Sequence, residues 1–323
     1  MSKAIRIHRT GGPEVLVWED VEVGDPGPGQ VRLRHTAVGL NFIDTYHRSG
    51  LYPLPLPAVL GREAAAVVES VGADVQGARV GDRVGFVLAG GSYCEESIVA
   101  AERLIPLPAG IDDRVAAATL LKGLTVQYLL RRTYRVRSGE TVLIHAAAGG
   151  VGLLACQWAR HLGATVIGTV GSAEKAELAR RHGCEHPIDY TREDFVERVR
   201  EITAGDGVPV VYDSVGRDTF EGSLDCLAPL GTMVSFGNAS GPVPPFAIGV
   251  LATKGSLFLT RPTLQTYIAE RESLLANSAE LLELLAAGVL TAEVGQTYPL
   301  CEAARAHGDL EARRTRGASV LLP

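Results

Sequence analysis

The chain has 323 residues, 46% of them hydrophobic and 21% charged, the balance of an ordinary globular protein of about two domains. That composition excludes intrinsic disorder, collagen and coiled coil. Thirty-one basic residues against 37 acidic ones leave a net charge of −6, which argues against a general nucleic-acid binder.

The first 110 residues hold 15 Gly and 8 Pro between short β-branched runs. Runs at 4–8, 30–38, 65–71, 83–87 and 93–99 predict strands of a small all-β barrel or sandwich. Residues 113–134 lack proline, are rich in Ala, Leu and Arg, and predict a helix. From residue 141 strand and helix alternate. Strands are expected at 141–146, 165–170, 187–189, 208–213, 232–236 and 256–260. Helices are expected at 151–162, 173–182 and 219–228, with one more capped by Thr191, Asp194 completing a T-x-x-D box. The alternation predicts a doubly wound parallel sheet. Helices at 277–288 and 301–314 and strands at 293–298 and 318–322 complete the chain.

The longest apolar stretch, 142–156, contains His145 and three glycines and is shorter than the ~18 residues of a membrane span. Residues 1–10 contain no apolar secretory region. The five cysteines, 94, 156, 184, 226 and 301, show no C-x-x-C spacing. They exclude a cysteine-based structural zinc site and fit a reducing cytosol. Cys94, Cys156, Cys226 and Cys301 read as small apolar filler. His182, Cys184 and His186 straddle a helix end and would need a fourth ligand to hold zinc. They read as loop residues near the surface. Arg131, Arg132, Arg135 and Arg137 read as a solvated helix face.

The first strand of the alternating region runs into Ala147-Ala148-Gly149-Gly150-Val151-Gly152, a G-x-G-x-x-G turn with alanine in first place. Gly149 and Gly150 allow the backbone to approach a pyrophosphate, and Gly152 allows the helix to pack on the strand. Free N–H groups at the helix start then face the phosphates. A strand before the turn and a helix after it are the context that separates this motif from chance. About twenty residues on, an NAD site carries an acid for the ribose 2′-hydroxyl. Here the sequence is Val170-Gly171-Ser172-Ala173-Glu174-Lys175, with no acid at the strand end. Ser172 reads as an N-cap, which puts Lys175 in the first turn, where a cation opposes the helix dipole unless a 2′-phosphate meets it. A surface lysine paired with Glu174 or Glu177 is the other reading. Tyr190 is placed to close the same pocket. Ser214 and Phe236-Gly237-Asn238 follow later strands, at the carboxyl ends where parallel sheets bind ligands.

Over nearly its whole length the chain resembles the NADPH-dependent quinone oxidoreductases, the zeta-crystallin-like branch of the zinc-free medium-chain dehydrogenase/reductase superfamily. The resemblance is carried by Gly11-Gly12-Pro13-Glu14-Val15-Leu16, Asn41-Phe42-Ile43-Asp44-Thr45-Tyr46, Arg48-Ser49-Gly50-Leu51-Tyr52 and Gly81-Asp82-Arg83-Val84. It continues through Lys122-Gly123-Leu124-Thr125, the 146–152 turn, Tyr212-Asp213-Ser214-Val215-Gly216 and Ser235-Phe236-Gly237-Asn238. It implies an α/β protein: a Rossmann doubly wound parallel sheet inserted into a GroES-like β-barrel catalytic domain. The implied layout is 1–123 catalytic, 124–261 NADPH-binding and 262–323 catalytic again. A homodimer formed through the cofactor domains and an active site in the cleft between the domains are implied as well.

NADPH would contact Phe42, Tyr46, Tyr128, Gly149, Gly150, Val151, Gly171, Ser172, Lys175, Tyr190, Ser214, Phe236, Gly237, Asn238 and Arg313. The family holds the 2′-phosphate with residues matching Lys175 and Tyr190. The zinc alcohol dehydrogenases of the superfamily carry a Gly-His-Glu motif. Here it reads Gly61-Arg62-Glu63, the cysteine position falls near Asn41, and the four-cysteine loop is missing. No metal is expected, and Arg62 departs from the small or polar residue usual in this branch.

On the acceptor side, Tyr46 and Tyr52 are placed to donate to a developing quinol oxyanion or simply to pack. Asn41 either orients an amide or carbonyl or makes a turn. Lys122 and Thr125, read as opening a helix under the nicotinamide, complete the candidate catalytic set. The expected activity is quinone reduction by NADPH in the cytoplasm, with no membrane or nucleic-acid partner. Reduction of activated C=C bonds, and a non-catalytic NADPH- and RNA-binding role, are the alternatives.

Overall fold

The computed structural model describes every residue except Met1 and Ala89. The chain forms two compact units: Met1–Leu124 with Ile268–Ala287 and Ala292–Pro323, and Thr125–Tyr267 with Gly288–Thr291. Residues 262–267 and 288–291 thus lie with the second unit, whereas the sequence reading placed them in the last segment. Side-chain contacts explain this: Tyr267 stacks on Tyr128 with 4.4 Å between ring centroids, and Thr291 N donates to Gln157 Oε1 at 2.8 Å.

The first unit is built on the long strand Gln30–Leu40. It pairs antiparallel with Glu63–Val71, Glu96–Ala100 and the C-terminal strand Ala318–Leu322. A smaller antiparallel sheet joins Ser2–Ile7 to Val17–Val21 and Ala58–Val59. Alternate residues of these strands point inward, and Ile5, Ile7, Val31, Leu33, Ala64, Ala66, Phe86 and Leu321 share one core.

The second unit carries a six-stranded parallel sheet. Its order is His186–Asp189, Thr165–Val170, Thr141–Ile144, Val208–Asp213, Leu227–Ser235, Phe258–Thr260. In sequence terms this is 3-2-1-4-5-6, the dinucleotide-binding order. The central strands are buried on both faces, which is why they read as continuous apolar runs such as Thr165–Val170.

Several local expectations are corrected. The helix expected at 113–134 is α-helical over Asp113–Tyr128 and widens to a π turn at Leu129–Thr133. Thr191 does not cap the next helix; its hydroxyl turns back to Asp189 Oδ1 at 2.7 Å. Asp194 caps Phe195–Ile202 by accepting from Val196 N and Glu197 N. The helix expected at 219–228 is only Phe220–Asp225, because Ala228 already belongs to strand Leu227–Ser235. The helix expected from 277 begins at Arg271. Cys184 is buried rather than near the surface, and Cys301 is exposed rather than apolar filler. The short strands Val17–Val21 and Leu104–Pro106 and the helix Phe42–Ser49 had no counterpart in the sequence reading.

Candidate active site

In the second unit the glycine-rich turn lies at the carboxyl end of the central strand Thr141–Ile144, beside the switch to Val208–Asp213. The following helix is Gly150–His161 with Gly149 as N-cap, so N–H groups of its first turn are unpaired within the helix. A Cβ at Gly152 would sit 2.2 Å from the Ala146 carbonyl oxygen, so only glycine permits this approach. Ala146 has φ of 53°, a left-handed conformation that costs an L-residue about 1–2 kcal/mol. A buried network holds it in place. His145 bridges Thr169 Oγ1 and Ser223 Oγ, each at 2.9 Å, and Ser223 Oγ donates to Asp213 Oδ2 at 3.1 Å. Thr169 Oγ1 in turn accepts from Ala146 N at 3.3 Å. Asp213 Oδ1 accepts from Val215 N and Gly216 N, ordering the turn that carries Ser214. Burial keeps His145 below its ordinary pKa, and so neutral.

At the next strand end Ser172 caps Ala173–Arg181, its hydroxyl accepting from Lys175 N at 3.2 Å. Lys175 is half-buried in the first turn. A Cβ at Gly171 would lie 2.6 Å from Tyr190 Oη, so the exposed Tyr190 closes over the Gly171–Ser172 turn. Ser214, Phe236, Gly237 and Asn238 follow strands Val208–Asp213 and Leu227–Ser235 at the same end of the sheet. Tyr128 is buried against Tyr267.

In the first unit, Asn41 caps the helix Phe42–Ser49, its N–H donating to Asp44 Oδ2 at 2.9 Å. This is a capping box with Asn and Asp, a signal in the sequence that could have revealed the helix. The Asn41 side chain donates to Glu63 Oε1 at 2.9 Å. Glu63 is fully buried and also accepts from Lys122 Nζ at 2.8 Å and Leu121 N at 2.6 Å. Lys122 therefore does not open a helix: it lies in the third turn of Asp113–Tyr128, buried and ion-paired. Thr125 is buried one turn further on.

Asp44 Oδ2 also accepts from Tyr93 Oη at 2.9 Å, while Asp44 Oδ1 is buried without a partner. Burial raises the Asp44 carboxyl to about 6, against the bonds from Asn41 and Tyr93 and the charge of Arg62. Behind it, Tyr93 Oη meets His307 Nε2 at 3.1 Å, and Arg48 reaches His307 Nδ1 and the two oxygens of Glu311. Tyr46 packs edge-on against Tyr52 at 5.2 Å, and Phe42 lies 6.3 Å from Tyr46. Arg62 Nη1 donates to His47 Nε2 at 3.0 Å. Arg313 is exposed with φ of 59° just beyond the helix Ala303–Glu311. Asp44, Glu63, Tyr93 and His307 are site neighbours that residue-by-residue reading missed. Glu63 carries a sequence signal, an acid opening the apolar run Ala64–Val68, and Asp44 carries one as the partner of Asn41 in the capping box; Tyr93 and His307 carry none.

Among the described residues, no three His, Cys, Asp or Glu side chains gather into a metal site. The parallel sheet, in the order 3-2-1-4-5-6 with a glycine-rich turn at its central strand, defines a dinucleotide-binding fold. The alcohol dehydrogenase GroES-like domain family matches residues 27–109, and the zinc-binding dehydrogenase family matches 150–284. A quinone oxidoreductase of Pseudomonas aeruginosa is 56% identical over the full length of both chains. A 2-haloacrylate reductase of a Burkholderia species is 52% identical over 100% of this chain and 99% of its own. The structure of Escherichia coli quinone oxidoreductase complexed with NADPH superposes with a TM-score of 0.98 at 52% identity, covering 99% of this chain and 100% of that one. The chain belongs to the quinone oxidoreductase family, in the zeta-crystallin-like branch of the medium-chain dehydrogenases/reductases.

Proposed function

We infer that the protein reduces quinones with NADPH. The observation that supports the cofactor is the Ser172-capped helix start, with Lys175 in its first turn and Tyr190 over the adjoining Gly171, where an NAD site carries an acid. The residues fit the cofactor: the Gly152 approach admits a pyrophosphate at the helix N-terminus, and Lys175 and Tyr190 suit a 2′-phosphate. Bound NADPH supplies a hydride, or electrons one at a time, from the nicotinamide. Gly150 and Val151 would offer N–H groups to the pyrophosphate, while Gly149, whose own N–H is given to the Ala146 carbonyl, lets the backbone come close. Ser214, Phe236, Gly237 and Asn238, with Gly171 and Ser172, stand at the strand ends of the second unit for the rest of the cofactor, and the family resemblance assigns Phe42, Tyr46, Tyr128 and Arg313 to it as well. Tyr46 and Tyr52 donate to the quinone oxygen as charge develops there. Asn41 orients the acceptor, held in place by Glu63, and Lys122 and Thr125 complete the set. A solvent proton serves the quinol anion.

The reaction we propose uses no metal. Where the zinc branch has a histidine ligand stands Arg62, a permanent cation bonded to His47, which would repel a divalent ion. We read the layout as a cofactor domain inserted into the catalytic one. A homodimer formed through the cofactor sheet is supported by its edge strand Phe258–Thr260, which pairs on one side only, and by exposed Phe258, Ile248 and Leu230. No helix among the described residues is long and apolar enough to cross a membrane. The cytoplasm is the compartment we infer, from five unpaired cysteines. The net charge of −6 speaks against nucleic acid. The relative named for 2-haloacrylate favours a second reading, reduction of activated C=C bonds.

The test is to mix the purified protein with NADPH and a 1,4-quinone, or an enone, and follow the loss of cofactor absorbance. NADPH-dependent turnover of the quinone is expected; turnover of the enone alone would move the reading to C=C reduction, and turnover of neither would overturn both. Lys175→Ala is expected to raise the KM for NADPH about ten-fold or more, the worth of one charge-assisted phosphate contact, while leaving NADH kinetics nearly unchanged. Equal changes for both cofactors would remove Lys175 from the phosphate pocket.

A further inference from the structure

Two arginines are buried in the first unit, and they are treated differently. Arg48 is 2% exposed, and its donors are met by both oxygens of Glu311, by His307 Nδ1 and by the Gly11 carbonyl. Its charge is neutralised where it lies. Arg62 is 8% exposed, and the one hydrogen-bond partner of its guanidinium among the described residues is the imidazole of His47. A guanidinium can only donate, so His47 accepts through Nε2 and is neutral. Burial and the Arg62 charge both hold His47 below its ordinary pKa, so it stays neutral at physiological pH. Asp44 is the carboxylate whose charge acts on Arg62, but its hydrogen bonds go to Asn41 N and Tyr93 Oη instead. No carboxylate of the described residues lies within ion-pair distance of Arg62.

Such an arrangement is costly. Burial disfavours a cation that has no paired anion, the charge of Asp44 offsets that only in part, and something outside the chain can supply the rest. The surroundings point to what that is. His47 is fixed edge-on against Tyr52 at 5.8 Å, and Tyr52 against Tyr46, so the guanidinium borders the aromatic cluster assigned to the acceptor. Several of its donors remain free for a planar anion, and a carboxylate is the group that matches a guanidinium fork.

We propose that Arg62, oriented by His47, is an anion anchor, and that this protein's preferred acceptors carry a carboxylate. The anchor deepens the quinone-reductase reading and rests on it for the identity of the reacting group. His47 is a positioning residue: it holds one face of the guanidinium and leaves the rest for the ligand.

Two measurements test this separately from the activity. First, binding of benzoate and benzamide to the protein is compared by calorimetry. Benzoate is expected to bind at least ten-fold more tightly, as a charge-assisted pair contributes, and Arg62→Gln to abolish the difference. Equal affinities in the native protein, or a preference that survives Arg62→Gln, would overturn the anchor whatever the activity. Second, kcat/KM is compared for 2-(2-carboxyethyl)-1,4-benzoquinone and its methyl ester, whose rings differ little in reactivity. The acid is expected to be favoured about ten-fold or more, chiefly through KM, and the ratio to fall toward one in Arg62→Gln. An ester turned over as well as the acid by the native protein overturns the acceptor preference. If neither quinone is turned over but benzoate binding depends on Arg62, the quinone reading fails and the anchor stands.

Discussion

Replacing Glu63 with alanine is expected to lower the stability of the protein by about 3–5 kcal/mol, the cost of leaving a buried charge without its partner. Glu63 is fully buried and accepts from Lys122 Nζ, Asn41 Nδ2 and Leu121 N. Its loss leaves the Lys122 ammonium, itself buried, facing a cavity. Replacing both ends of the pair, in Lys122→Met with Glu63→Gln, removes the stranded charge and keeps an acceptor for Asn41. The double variant should therefore be more stable than Glu63→Ala, although it carries more changes. Urea titration followed by circular dichroism reads the order directly. A double variant less stable than Glu63→Ala would show that the stranded Lys122 charge is not the main cost. Because Glu63 also fixes Asn41, Glu63→Ala should raise the KM for the acceptor, a second readout on the protein that remains folded.

Acid is expected to weaken the fold from about pH 6.5 downward. His35 and His307 are buried neutral imidazoles whose pKa falls from 6.5 to about 4 and about 3. For both, burial is the main cause; for His307 the Arg48 charge adds to it. The folded value lies below the unfolded one, so the unfolded chain takes up protons first. Their contribution is complete above the unfolded pKa and is lost as pH falls from 6.5 toward 4 and 3. Asp44 works the other way. Its folded pKa of about 6 exceeds the ordinary 3.8, so it destabilises the ionised protein and relieves that as pH falls from 6 to 4. Two protons taken up by the unfolded chain against one by the folded protein leave a net slope of about 1.4 kcal/mol per pH unit over that window. His145 is lowered too and steepens the fall. Denaturant titrations at pH 7, 6 and 5 measure the slope. Asp44→Asn removes the opposing contribution and should steepen the slope by about 1.4 kcal/mol per pH unit, whereas a slope unaffected by that change would mean that Asp44 is ionised in the folded protein throughout.

Much of the cofactor unit was legible because its signals are local. The alternation of strand and helix is a period read over ten residues, and strands Thr165–Val170 and Val208–Asp213 begin and end where the apolar runs do. The Ser172 cap and the glycine-rich turn are contiguous motifs whose geometry follows from neighbouring residues. Local reading failed where two local options competed. Thr191 and Asp194 both offer a capping oxygen, and Asp189 claimed the threonine hydroxyl. At Ala228 helix propensity lost to pairing with the neighbouring strands, a tertiary contact. The acceptor side was the least legible. The sequence leaves Asn41 between a turn and an orienting role, and the structure gives it a cap and a bond to Glu63, 22 residues away. Nothing near Lys122 in sequence reveals its place in the third turn of Asp113–Tyr128 or its buried partner 59 residues back.

The amino-acid sequence by itself determined that the chain is an α/β protein with a dinucleotide-binding turn, and that the end of its second strand lacks the acid of an NAD site. These follow from backbone sterics and periodicity, which act between near neighbours. Only the tertiary structure decided which charges are neutralised. Glu63 is matched to Lys122 and Arg48 to Glu311, while Arg62 keeps a neutral imidazole and no anion. Whether a buried charge is structural or available to a ligand depends on what lies within about 4 Å of it, and long-range contacts set that distance.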